Sequence, residues 1–447
     1  MKIILLSGGS GKRLWPLSNG IRTKQFLKVL PSYDFGTESM IQRVYRQLVE
    51  VYPDTQIIVT ASSTQAEQIT YQLGENIDLV IEPENRDTFP AILLSCMYLH
   101  LEKKTNENEP ILVMPVDLCT TSDFYIRLKD MENLVLEKVS DLVLMGIAPT
   151  CPSSQYGYII PKTVSTNEGY CYVEKFKEKP CETEAKTLIH QGAMWNSGVF
   201  AFQLQFMLSF ANSYIGMKQE YENILSQYQI LPKRSFDYEV VEKTKSTCMI
   251  PFNGTWEDIG TWNTLVDTMG APTHGDVILT DDNENTHVIN ELNIPLLVAG
   301  TSGMVVVASP DGILVSTKKA STNIKQYVDA IDLRPMYEEK RWGYYCVLDY
   351  FDNFNNMKVL TKKMVIESGL SISYQSHRLR NEIWIIVDGF GETIVEGIRQ
   401  PVDHGKIINI QKGEKHSIRA AQKLTIIEIQ MGSELLESDI EKWGLAW

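Results

Sequence analysis

A glycine-rich turn near the N-terminus has the residue types to bind a phosphate. The run Gly8-Gly9-Ser10-Gly11 lacks β-carbons at three of its four positions, so successive backbone N–H groups can face one concavity and donate to phosphate oxygens. Lys12 and Arg13 follow at once, and a guanidinium can bind a phosphate through two parallel hydrogen bonds. Glycines alone are more typical of a turn that binds nothing. The adjacent cations and the segment Lys-Gln-Phe-Leu at 24–27 favour an anion site.

A carboxylate stands at the end of an apolar run later in the chain. The run 110–116 reads as a buried strand and is followed by Asp117. In a parallel sheet the carboxyl ends of the strands form the edge where ligands bind. Mg²⁺ prefers a few carboxylate oxygens combined with phosphate and water. Asp117 is therefore a candidate ligand for a magnesium ion that bridges nucleotide phosphates.

A second group of metal-ligating residue types lies near the C-terminus. Gln375 and His377 are two residues apart, and residues two apart on a strand share one face. Glu382 follows closely, and His416 is another of only seven histidines in the chain. Two imidazoles, a carboxylate and an amide oxygen can hold zinc or another divalent metal. The pattern predicts a metal site, with a vestigial or purely structural site as the alternative.

The first half of the chain alternates short apolar runs with segments of helical spacing. Such alternation predicts a parallel, doubly wound α/β sheet. Strands are expected at 3–6, 56–60, 78–81, 110–116 and 142–147, and helices at 39–48, 65–73 and up to residue 99. The glycine-rich turn and Asp117 both follow strand ends in this scheme, so the sheet should bring them to one edge.

The remainder of the chain has the pattern of short strands. From about residue 273 to residue 330, apolar runs alternate with Asp, Asn and Gly turns, for which a small meander is one of two interpretations, the other being the connector described below. Beyond residue 334 the pattern predicts a compact antiparallel barrel of the cupin kind. Its expected strands are 357–366, 382–387, 393–395, 407–410 and 424–430.

Composition limits the kinds of partner. A chain of 447 residues is long enough for two or three domains. Its formal net charge of −14 argues against general affinity for nucleic acid or anionic membranes, which need a basic face. No run approaches the ~20 apolar residues of a membrane span, and the seven cysteines are scattered without a CxxC pair. We therefore expect a cytoplasmic enzyme that binds neither nucleic acid nor membrane.

Several motifs together resemble the mannose-1-phosphate guanylyltransferases, within the sugar-phosphate nucleotidyltransferases. The first is Gly-Gly-Ser-Gly-Lys-Arg-Leu-Trp-Pro-Leu-Ser at 8–18, followed by Lys-Gln-Phe-Leu at 24–27. Later motifs follow in the family's order at 82–91, 149–159, 173–180, 194–202, 235–243, 256–262, 341–345 and 375–384. The chain is thus similar to the long bacterial form, which carries a C-terminal mannose-6-phosphate isomerase-like cupin.

The resemblance implies a reaction and a role for each matching residue. The reaction would transfer a nucleotidyl group from GTP to mannose 1-phosphate, giving GDP-mannose and pyrophosphate without a protein nucleophile. The implied catalytic residues are Arg13, Lys24, Asp117, Lys179, Asp258 and, in the cupin, Arg380. The implied nucleotide and sugar-phosphate contacts are Gly8, Gly9, Ser10, Gly11, Glu82, Arg86, Gly157, Glu178 and Asn196.

Two metal sites are implied in the same way. Asp117 and Asp258 would bind Mg²⁺ in the transferase site. In the cupin, Zn²⁺ or another divalent metal would be held by Gln375, His377, Glu382 and His416. A cupin of this family would interconvert mannose 6-phosphate and fructose 6-phosphate.

The implied architecture has three parts. Residues 1–270 would form a Rossmann-like doubly wound nucleotidyltransferase domain, 271–333 a short left-handed β-helix connector, and 334–447 the all-β cupin. The resemblance also implies a homo-oligomer, specifically a dimer, whose ligands are a nucleoside triphosphate and a sugar phosphate.

Departures from the family pattern in the transferase part leave alternatives open. Val116 and Leu118 flank Asp117 where relatives usually carry Ser and His, and Thr23 replaces a proline. Since the positions beside Asp117 lie near the base, another nucleotide such as CTP, or another sugar phosphate, is a second hypothesis. A regulator that binds ligands without turnover is a third, which the loss of Arg13 or of either aspartate would have favoured.

The cupin part departs at two positions. Ser417 and Arg341 stand where the family has Arg and Pro, and Ser417 cannot supply charge for a substrate phosphate. Either the cupin isomerises sugar phosphates, or it is a metal-binding structural or regulatory appendage.

Overall fold

The computed structural model describes residues 1–9, 12–33, 36–162, 169–216, 220–331, 334–352, 357–444 and 447. Two predicted phosphate-loop residues, Ser10 and Gly11, lie outside the described residues. The chain folds into two compact units. The N-terminal unit comprises Met1–Leu14, Thr23–Ala66 and Glu75–Ala271, and the C-terminal unit comprises Trp15–Arg22, Glu67–Gly74 and Pro272–Trp447.

In the described part of the N-terminal unit, thirteen strands follow one another in chain order. They are β1 (Lys2–Ser7), β2 (Leu30–Pro31), β3 (Thr37–Glu38), β4 (Ile57–Ser62), β5 (Asp78–Glu82), β6 (Pro110–Pro115), β7 (Leu118–Thr120), β8 (Leu142–Ile147), β9 (Tyr158–Pro161), β10 (Cys171–Lys177), β11 (Met194–Gln203), β12 (Thr247–Phe252) and β13 (Trp256–Asp258). Nine of them form one sheet in the order β5-β4-β1-β6-β11-β8-β12-β10-β9.

The four strands at one side of this sheet, β5, β4, β1 and β6, are parallel, and the rest make the sheet mixed. β1 pairs in parallel with β4 and β6, and β4 pairs in parallel with β5. β11 then runs antiparallel to both β6 and β8. The register puts Ser7 opposite Ala61, and Leu6 opposite Pro115, so β1, β4 and β6 end at one edge. This is the edge at which the sequence predicts the ligand site.

Helices of the N-terminal unit contribute to the core beside the sheet. They are α1 (Met40–Val51), α3 (Thr88–Leu101), α4 (Ser122–Leu136), α5 (Glu182–His190), α6 (Leu204–Tyr214), α7 (Tyr221–Gln227) and α8 (Trp262–Thr268). Helix α2 (Ala66–Leu73) lies almost entirely in the C-terminal unit. α3 is apolar on nearly all sides and packs on β1, β4 and β5, which explains why its sequence shows no polar face. α1 begins with a reciprocal capping box between Ser39 and Gln42.

The C-terminal unit begins with short strands that pair in parallel. They are β14 (Thr273–His274), β15 (Val277–Leu279), β16 (His287–Asn290), β17 (Leu296–Val298), β18 (Met304–Ser309) and β19 (Gly312–Thr317), followed by helix α9 (Lys325–Val328). β14, β16 and β18 are parallel neighbours, β15 pairs in parallel with β17, and only β19 runs antiparallel. This pairing differs from an antiparallel meander.

The last strands form two antiparallel sheets, as expected for a cupin. They are β20 (Tyr337–Lys340), β21 (Gly343–Asp352), β22 (Lys358–Ile366), β23 (Gln375–Ser376), β24 (Arg380–Asp388), β25 (Gly391–Val395), β26 (Ile398–Val402), β27 (Ile407–Ile410), β28 (His416–Ala420), β29 (Leu424–Gly432) and β30 (Glu441–Lys442). The sheets have the orders β20-β21-β22-β29-β24-β27 and β26-β25-β28-β23-β30. Trp384 is fully buried in the apolar core of this barrel. Within the described residues, no helix is both long and apolar enough to cross a membrane.

Candidate functional site

A two-stranded ribbon brings the two predicted magnesium carboxylates together. Asp117 lies between β6 and β7, and Asp258 ends β13. β7 and β13 pair antiparallel with Asp258 opposite Leu118. The backbone N–H of Ile259 also donates to the carbonyl oxygen of Asp117 over 3.3 Å. Two carboxylates from distant parts of the chain therefore lie side by side at the sheet edge.

The ammonium of Lys24 lies between these carboxylates. Its Nζ is 2.7 Å from Asp117 Oδ2 and 3.2 Å from Asp258 Oδ1. Burial alone would lower the pKa of Lys24, but the two carboxylates raise it above its ordinary value. Burial raises the pKa of Asp258, and the charges of Lys24 and Arg13 oppose that rise. The two carboxylates already share one cation, the ammonium of Lys24. Their oxygens are hard donors, and such a donor set fits a divalent metal ion.

A cavity of about 440 Å³ lies at the carboxyl ends of the parallel strands. Its walls include Gly8, Gly9, Glu82 and Asp117, and its volume is in the range of small-molecule sites. Gly9 has a φ of +110°, a conformation that favours glycine. The glycine-rich turn and the metal-site carboxylate thus face the same cavity, as the sequence predicts.

A smaller cavity of about 180 Å³ adjoins the first. The two cavities share Pro115, Asp117, Gly198 and Asp237. The smaller one is further lined by Tyr156, Gly157, Glu178, Asn196, Trp256 and Asp258. Asp117 therefore stands where ligands in the two cavities would meet.

The polar wall of the smaller cavity is built around Gly157. A β-carbon at Gly157 would lie 2.5 Å from Glu178 Oε2, so a larger residue there would displace that carboxylate. The backbone N–H of Asn196 donates to the Gly157 carbonyl oxygen over 2.8 Å. Asn196 Nδ2 donates to Asp237 Oδ1 over 2.7 Å. Burial, with the nearby charge of Glu178, raises the pKa of Asp237 to about 7.

Lys179 and Arg13 are exposed cations near this region. Lys179 Nζ is 2.9 Å from Glu178 Oε1, its side chain is 58% exposed, and its φ is +42°. Arg13 is exposed on the short turn Lys12–Leu14. Both side chains have room to turn toward an anionic ligand.

Glu82 and Arg86 occupy different places. Glu82 ends β5, lines the larger cavity and accepts from the Tyr228 hydroxyl over 2.8 Å. The guanidinium of Arg86 donates to the Leu231 carbonyl oxygen over 2.9 Å and to Glu84 over 2.6 Å. Arg86 therefore ties the loop after β5 to the chain near residue 231.

The cupin brings its predicted ligands together from both of its sheets. Gln375 on β23 is the ladder partner of His416 on β28, and His377 directly follows β23. Glu382 lies on β24 of the other sheet. Candidate ligand atoms of His377, Glu382 and His416 all lie within 4.8 Å of one another, and the three residues are buried. Gln375 lines the same cavity as Glu382, and its Oε1 accepts from Ser373 Oγ over 2.9 Å.

The hydrogen bonds of the two histidines aim lone pairs at this cluster. His377 Nδ1 donates to the Arg380 carbonyl oxygen and His416 Nδ1 to that of Glu414, each over 2.8 Å. Each Nε2 then carries a lone pair, and both Nε2 atoms and Glu382 Oε2 are buried with no hydrogen-bond partner among the described residues. Burial lowers the pKa of His416, which favours the neutral, ligating imidazole. Three unpaired acceptors that face one another fit a cation between them.

Charged side chains surround the small cavity beside this cluster. Arg380 Nε donates to Glu382 Oε1 over 2.9 Å, and its NH1 donates to the Leu436 carbonyl oxygen over 3.0 Å. Lys362 Nζ lies 3.6 Å from Glu428 Oε2 and 3.0 Å from Glu437 Oε1. Burial and the charge of Glu382 raise the pKa of Glu428 to about 8. Arg380 thus contacts Glu382, one of the candidate metal ligands, directly.

Comparison with known proteins assigns the chain to a family. The family model described as Nucleotidyl transferase matches residues 2–273. The chain belongs to the nucleotidyl transferase family. A second family model, described as Mannose-6-phosphate isomerase C-terminal, matches residues 334–444. This nucleotidyl transferase therefore also carries the C-terminal domain of that isomerase family.

Relatives match this nucleotidyl transferase over almost its whole length. The alginate biosynthesis protein AlgA of Pseudomonas putida is 30% identical, with 98% of this chain and 95% of the relative covered. The mannose-1-phosphate guanylyltransferase of Escherichia coli K12 is 28% identical, with 99% and 97% covered. A Thermus thermophilus crystal structure described as a mannose-1-phosphate geranyltransferase is 26% identical, with a TM-score of 0.60 over 73% of this chain and 98% of that one. The family resemblance drawn from the motifs is confirmed.

Several site residues of the nucleotidyl transferase were not singled out from the sequence. Asp237 lies within the noted run 235–243, and it lines both cavities. Lys233 is the one cationic side chain among the described residues that line the larger cavity. Glu428 and Lys362 are partners in the ladder between β29 and β22, and both are buried. Apolar residues occupy both faces of β29, so alternation along that strand does not show that Glu428 faces the barrel interior.

Proposed function

We propose that the N-terminal unit is a mannose-1-phosphate guanylyltransferase that makes GDP-mannose and pyrophosphate from GTP and mannose 1-phosphate. The observation that supports this most is the meeting of two cavities at Asp117, beside the paired carboxylate of Asp258. The larger cavity has room for a nucleotide and the smaller one for a sugar. The names of full-length relatives supply the choice of guanine and mannose.

In the proposed reaction, an oxygen of the sugar phosphate attacks the α-phosphorus of the nucleotide. The bond between that phosphorus and the oxygen bridging to the β-phosphate breaks, and pyrophosphate leaves with the electron pair. Both reactants are anions, so the main task of the protein is to hold them in line and offset their repulsion. Asp117 and Asp258 would hold Mg²⁺, which when bound supplies positive charge at the phosphates.

The remaining residues bind and orient the two reactants. Backbone N–H groups at Gly8 and Gly9, together with those predicted at Ser10 and Gly11, would donate to the triphosphate. Arg13 and Lys24 would neutralise charge on the departing pyrophosphate. Lys24, which pairs with both carboxylates, would turn its ammonium to the phosphates when the carboxylates hold Mg²⁺.

The sugar phosphate would lie in the smaller cavity. Gly157, Glu178 and Asn196 would receive the sugar hydroxyls, since these polar groups line that cavity. Lys179 would leave its ion pair with Glu178 and neutralise the sugar phosphate. Glu82 and Arg86 would hold the nucleotide side, Glu82 at the cavity wall and Arg86 by fixing the loop.

A nucleotide panel tests the proposal and its alternatives. GTP, CTP, ATP and UTP are compared at a fixed concentration of mannose 1-phosphate, with magnesium, by release of pyrophosphate. We expect GTP to be preferred. A preference for CTP or another nucleotide would mean that the reaction class is right but the base is not guanine. Val116 and Leu118, which lie buried beside Asp117, are compatible with another base. No release with any nucleotide and sugar phosphate, from folded protein, would leave a ligand-binding regulator.

We further propose that the cupin interconverts mannose 6-phosphate and fructose 6-phosphate. The buried cluster of His377, Glu382 and His416, with unpaired acceptors aimed at one point, supports this. Zn²⁺ or another divalent ion held there, with Gln375 as a further ligand, would polarise the sugar oxygens at C1 and C2. Arg380 would bind the oxygen charge that develops as a proton moves between the two carbons.

Three further features belong to the proposal. The parallel strands β14 to β18 would form a short left-handed β-helix, which would make 271–333 a connector between domains 1–270 and 334–447. The protein would be cytoplasmic, in keeping with its seven free cysteines. It would also form a homodimer, which sedimentation equilibrium of the full chain tests directly.

A further inference from the structure

Two strands of the cupin bring buried polar side chains onto one face of their sheet. Alternate residues of a strand share a face, and the ladder between β24 and β29 pairs Glu382 with Gln430 and Trp384 with Glu428. All four side chains are almost completely buried. Because buried polar groups are hydrogen-bonded, Gln430 must find its partners among these neighbours.

The side-chain amide of Gln430 lies between two carboxyl groups. Its Nε2 donates to Glu382 Oε1 over 3.2 Å and to Glu428 Oε2 over 3.1 Å. An amide NH2 group has two hydrogens and can serve both acceptors, whereas the amide oxygen cannot donate. The two carboxyl groups therefore fix the orientation of the amide.

The two oxygens of Glu382 have different surroundings. Oε1 accepts from Gln430 and also from Arg380 Nε, the latter over 2.9 Å. It also lies 3.2 Å from His377 Nε2, a ring nitrogen that carries a lone pair and has no proton to donate. Oε2 lies 3.8 Å from His416 Nε2 and has no hydrogen-bond partner among the described residues. One oxygen is thus held by two donors, and the other is left to ligate a cation.

Glu428, the second partner of the Gln430 amide, is itself fixed by the barrel core. Its Oε1 accepts from Trp384 Nε1 over 3.2 Å, and Trp384 is fully buried. Its Oε2 lies 3.6 Å from Lys362 Nζ, whose side chain is 5% exposed. Because Glu428 is held on both of its oxygens, it gives the Gln430 amide a firm support from which to hold Glu382.

We propose that Gln430 is a positioning residue of the cupin metal site, whose amide holds Glu382 Oε1 and leaves Oε2 to ligate the metal ion. The inference rests on the proposed metal site and is independent of the reaction proposed for it. Without the amide, Oε1 keeps only the donor of Arg380 among the side-chain donors described above. The terminal torsion of a glutamate has broad preferences, so the carboxylate would turn away from its ligating orientation. Loss of such an outer-shell partner typically costs about 10- to 100-fold in metal affinity.

Three variants test this by titration of the full-length, metal-stripped protein with Zn²⁺ and Co²⁺. Gln430→Met keeps the length of the side chain and removes both donors. Glu382→Ala removes the ligand itself, and Gln430→Met/Glu382→Ala tests whether the amide acts through that ligand. Gln400→Met is the matched control, because Gln400 is exposed on β26 of the same barrel.

Three measurements are made on each variant. The titrations give the Kd for each ion, and the absorption spectrum of the Co²⁺-loaded protein reports the arrangement of the ligands. Thermal unfolding of the metal-free protein reports stability separately. We expect the Kd for both ions to rise about tenfold or more in Gln430→Met, with a changed Co²⁺ spectrum. In the Glu382→Ala background, Gln430→Met should change the Kd by less than about twofold, and Gln400→Met should match the wild type.

An unchanged Kd and an unchanged Co²⁺ spectrum in folded Gln430→Met, even with a lowered Tm, would overturn the inference and leave Gln430 a merely structural contact. A loss of affinity by the same factor in the Glu382→Ala background would overturn it as well. If Gln430→Met does not fold, Gln430→Asn decides by the same measures, since its shorter side chain cannot bridge both carboxyl groups.

The same experiment separates the inference from the function proposed for the cupin. Wild-type protein that binds metal without isomerising sugar phosphates would overturn the isomerase activity alone, and the Kd values would still decide the role of Gln430. Folded wild-type protein that binds neither ion would remove the proposed metal site and the inference with it.

Discussion

Asp117 stands at the junction of two cavities and shares Lys24 with Asp258. For Asp117→Asn we predict nearly complete loss of transfer with the fold intact, because the loss of one metal-binding charge costs on the order of several kcal/mol of transition-state stabilisation. Pyrophosphate release at saturating magnesium measures this. Asp123→Asn, at an exposed position on α4, is the control. Retention of most of kcat in Asp117→Asn would rule out the assigned role.

Asp237 should make the stability of the protein depend on pH. Its raised pKa of about 7 means that the native state keeps a proton that the unfolded chain releases near its ordinary pKa of about 3.9. The associated stabilisation is fully present below that lower value and is lost as the pH rises through about 7. Asp237→Asn, which keeps the acceptor for Asn196, should therefore gain stability relative to the wild type between pH 5 and pH 8. Thermal unfolding across this range measures the difference, and a difference that stays constant would contradict the assignment.

Asp117 and Asp237 differ in how far the sequence predicts their positions. Asp117 follows a strongly apolar strand, so its position at a sheet edge is predictable from local pattern. Asp237 lies in a turn of π-helix, Asp237–Val241, within a charged run that gives no periodic signal. Its importance comes from burial beside Glu178 and Asn196, which only the folded chain brings about.

At the scale of elements, the turn into β9 is shaped by a single glycine. In Gly157→Ala the new β-carbon would meet Glu178 Oε2 at 2.5 Å and Phe176 Cζ at 2.7 Å, so the wall of the smaller cavity must move. We predict that the KM for mannose 1-phosphate rises about tenfold, since positioning is lost, while the KM for GTP changes little. Gly444→Ala, where a β-carbon meets nothing within 4 Å, is the control. An equal rise in both KM values would mean that the smaller cavity is not the sugar site.

Element order was easier to predict than strand pairing. The alternation of β1, α1, β4, α2, β5 and α3 follows from hydrophobic patterns, because each run has the length and period of its element. The reversal of β11 between β6 and β8 depends on contacts across the sheet. The β7–β13 ribbon has only three residues on each side, too few for a periodic signal, although it is what brings Asp258 to Asp117.

At the scale of the whole molecule, the two proposed sites should be separable. In His377→Ala/His416→Ala we predict that bound metal falls to background and isomerisation of fructose 6-phosphate is lost, because two imidazole ligands are removed. Nucleotidyl transfer should remain. Metal analysis and a coupled isomerase assay measure these outcomes, with His404→Ala, an exposed histidine of the barrel, as the control.

The outcome of that experiment can contradict either half of the cupin proposal. Metal bound to the wild type without isomerisation would leave the cupin a structural or regulatory appendage. Folded wild type with no metal after loading with zinc, cobalt or magnesium would remove the site itself.

The division of the chain into units is the feature least visible in the sequence. Trp15–Arg22 and Glu67–Gly74 belong to the C-terminal unit, although both lie among the strands and helices of the N-terminal sheet in chain order. Contacts such as Arg22 with Glu291, and the 2.6 Å hydrogen bond from Gln72 Nε2 to Glu339 Oε2, join residues far apart in the chain. Local propensity and periodicity carry no information on such pairs.

Product analysis of one reaction tests the central claim most directly. Full-length protein is incubated with GTP, mannose 1-phosphate and magnesium, and the products are followed by phosphorus NMR. The account predicts GDP-mannose and pyrophosphate in equal amounts, both absent when mannose 1-phosphate is omitted. No GDP-mannose from the wild-type protein, or GDP and inorganic phosphate in place of pyrophosphate, would contradict it.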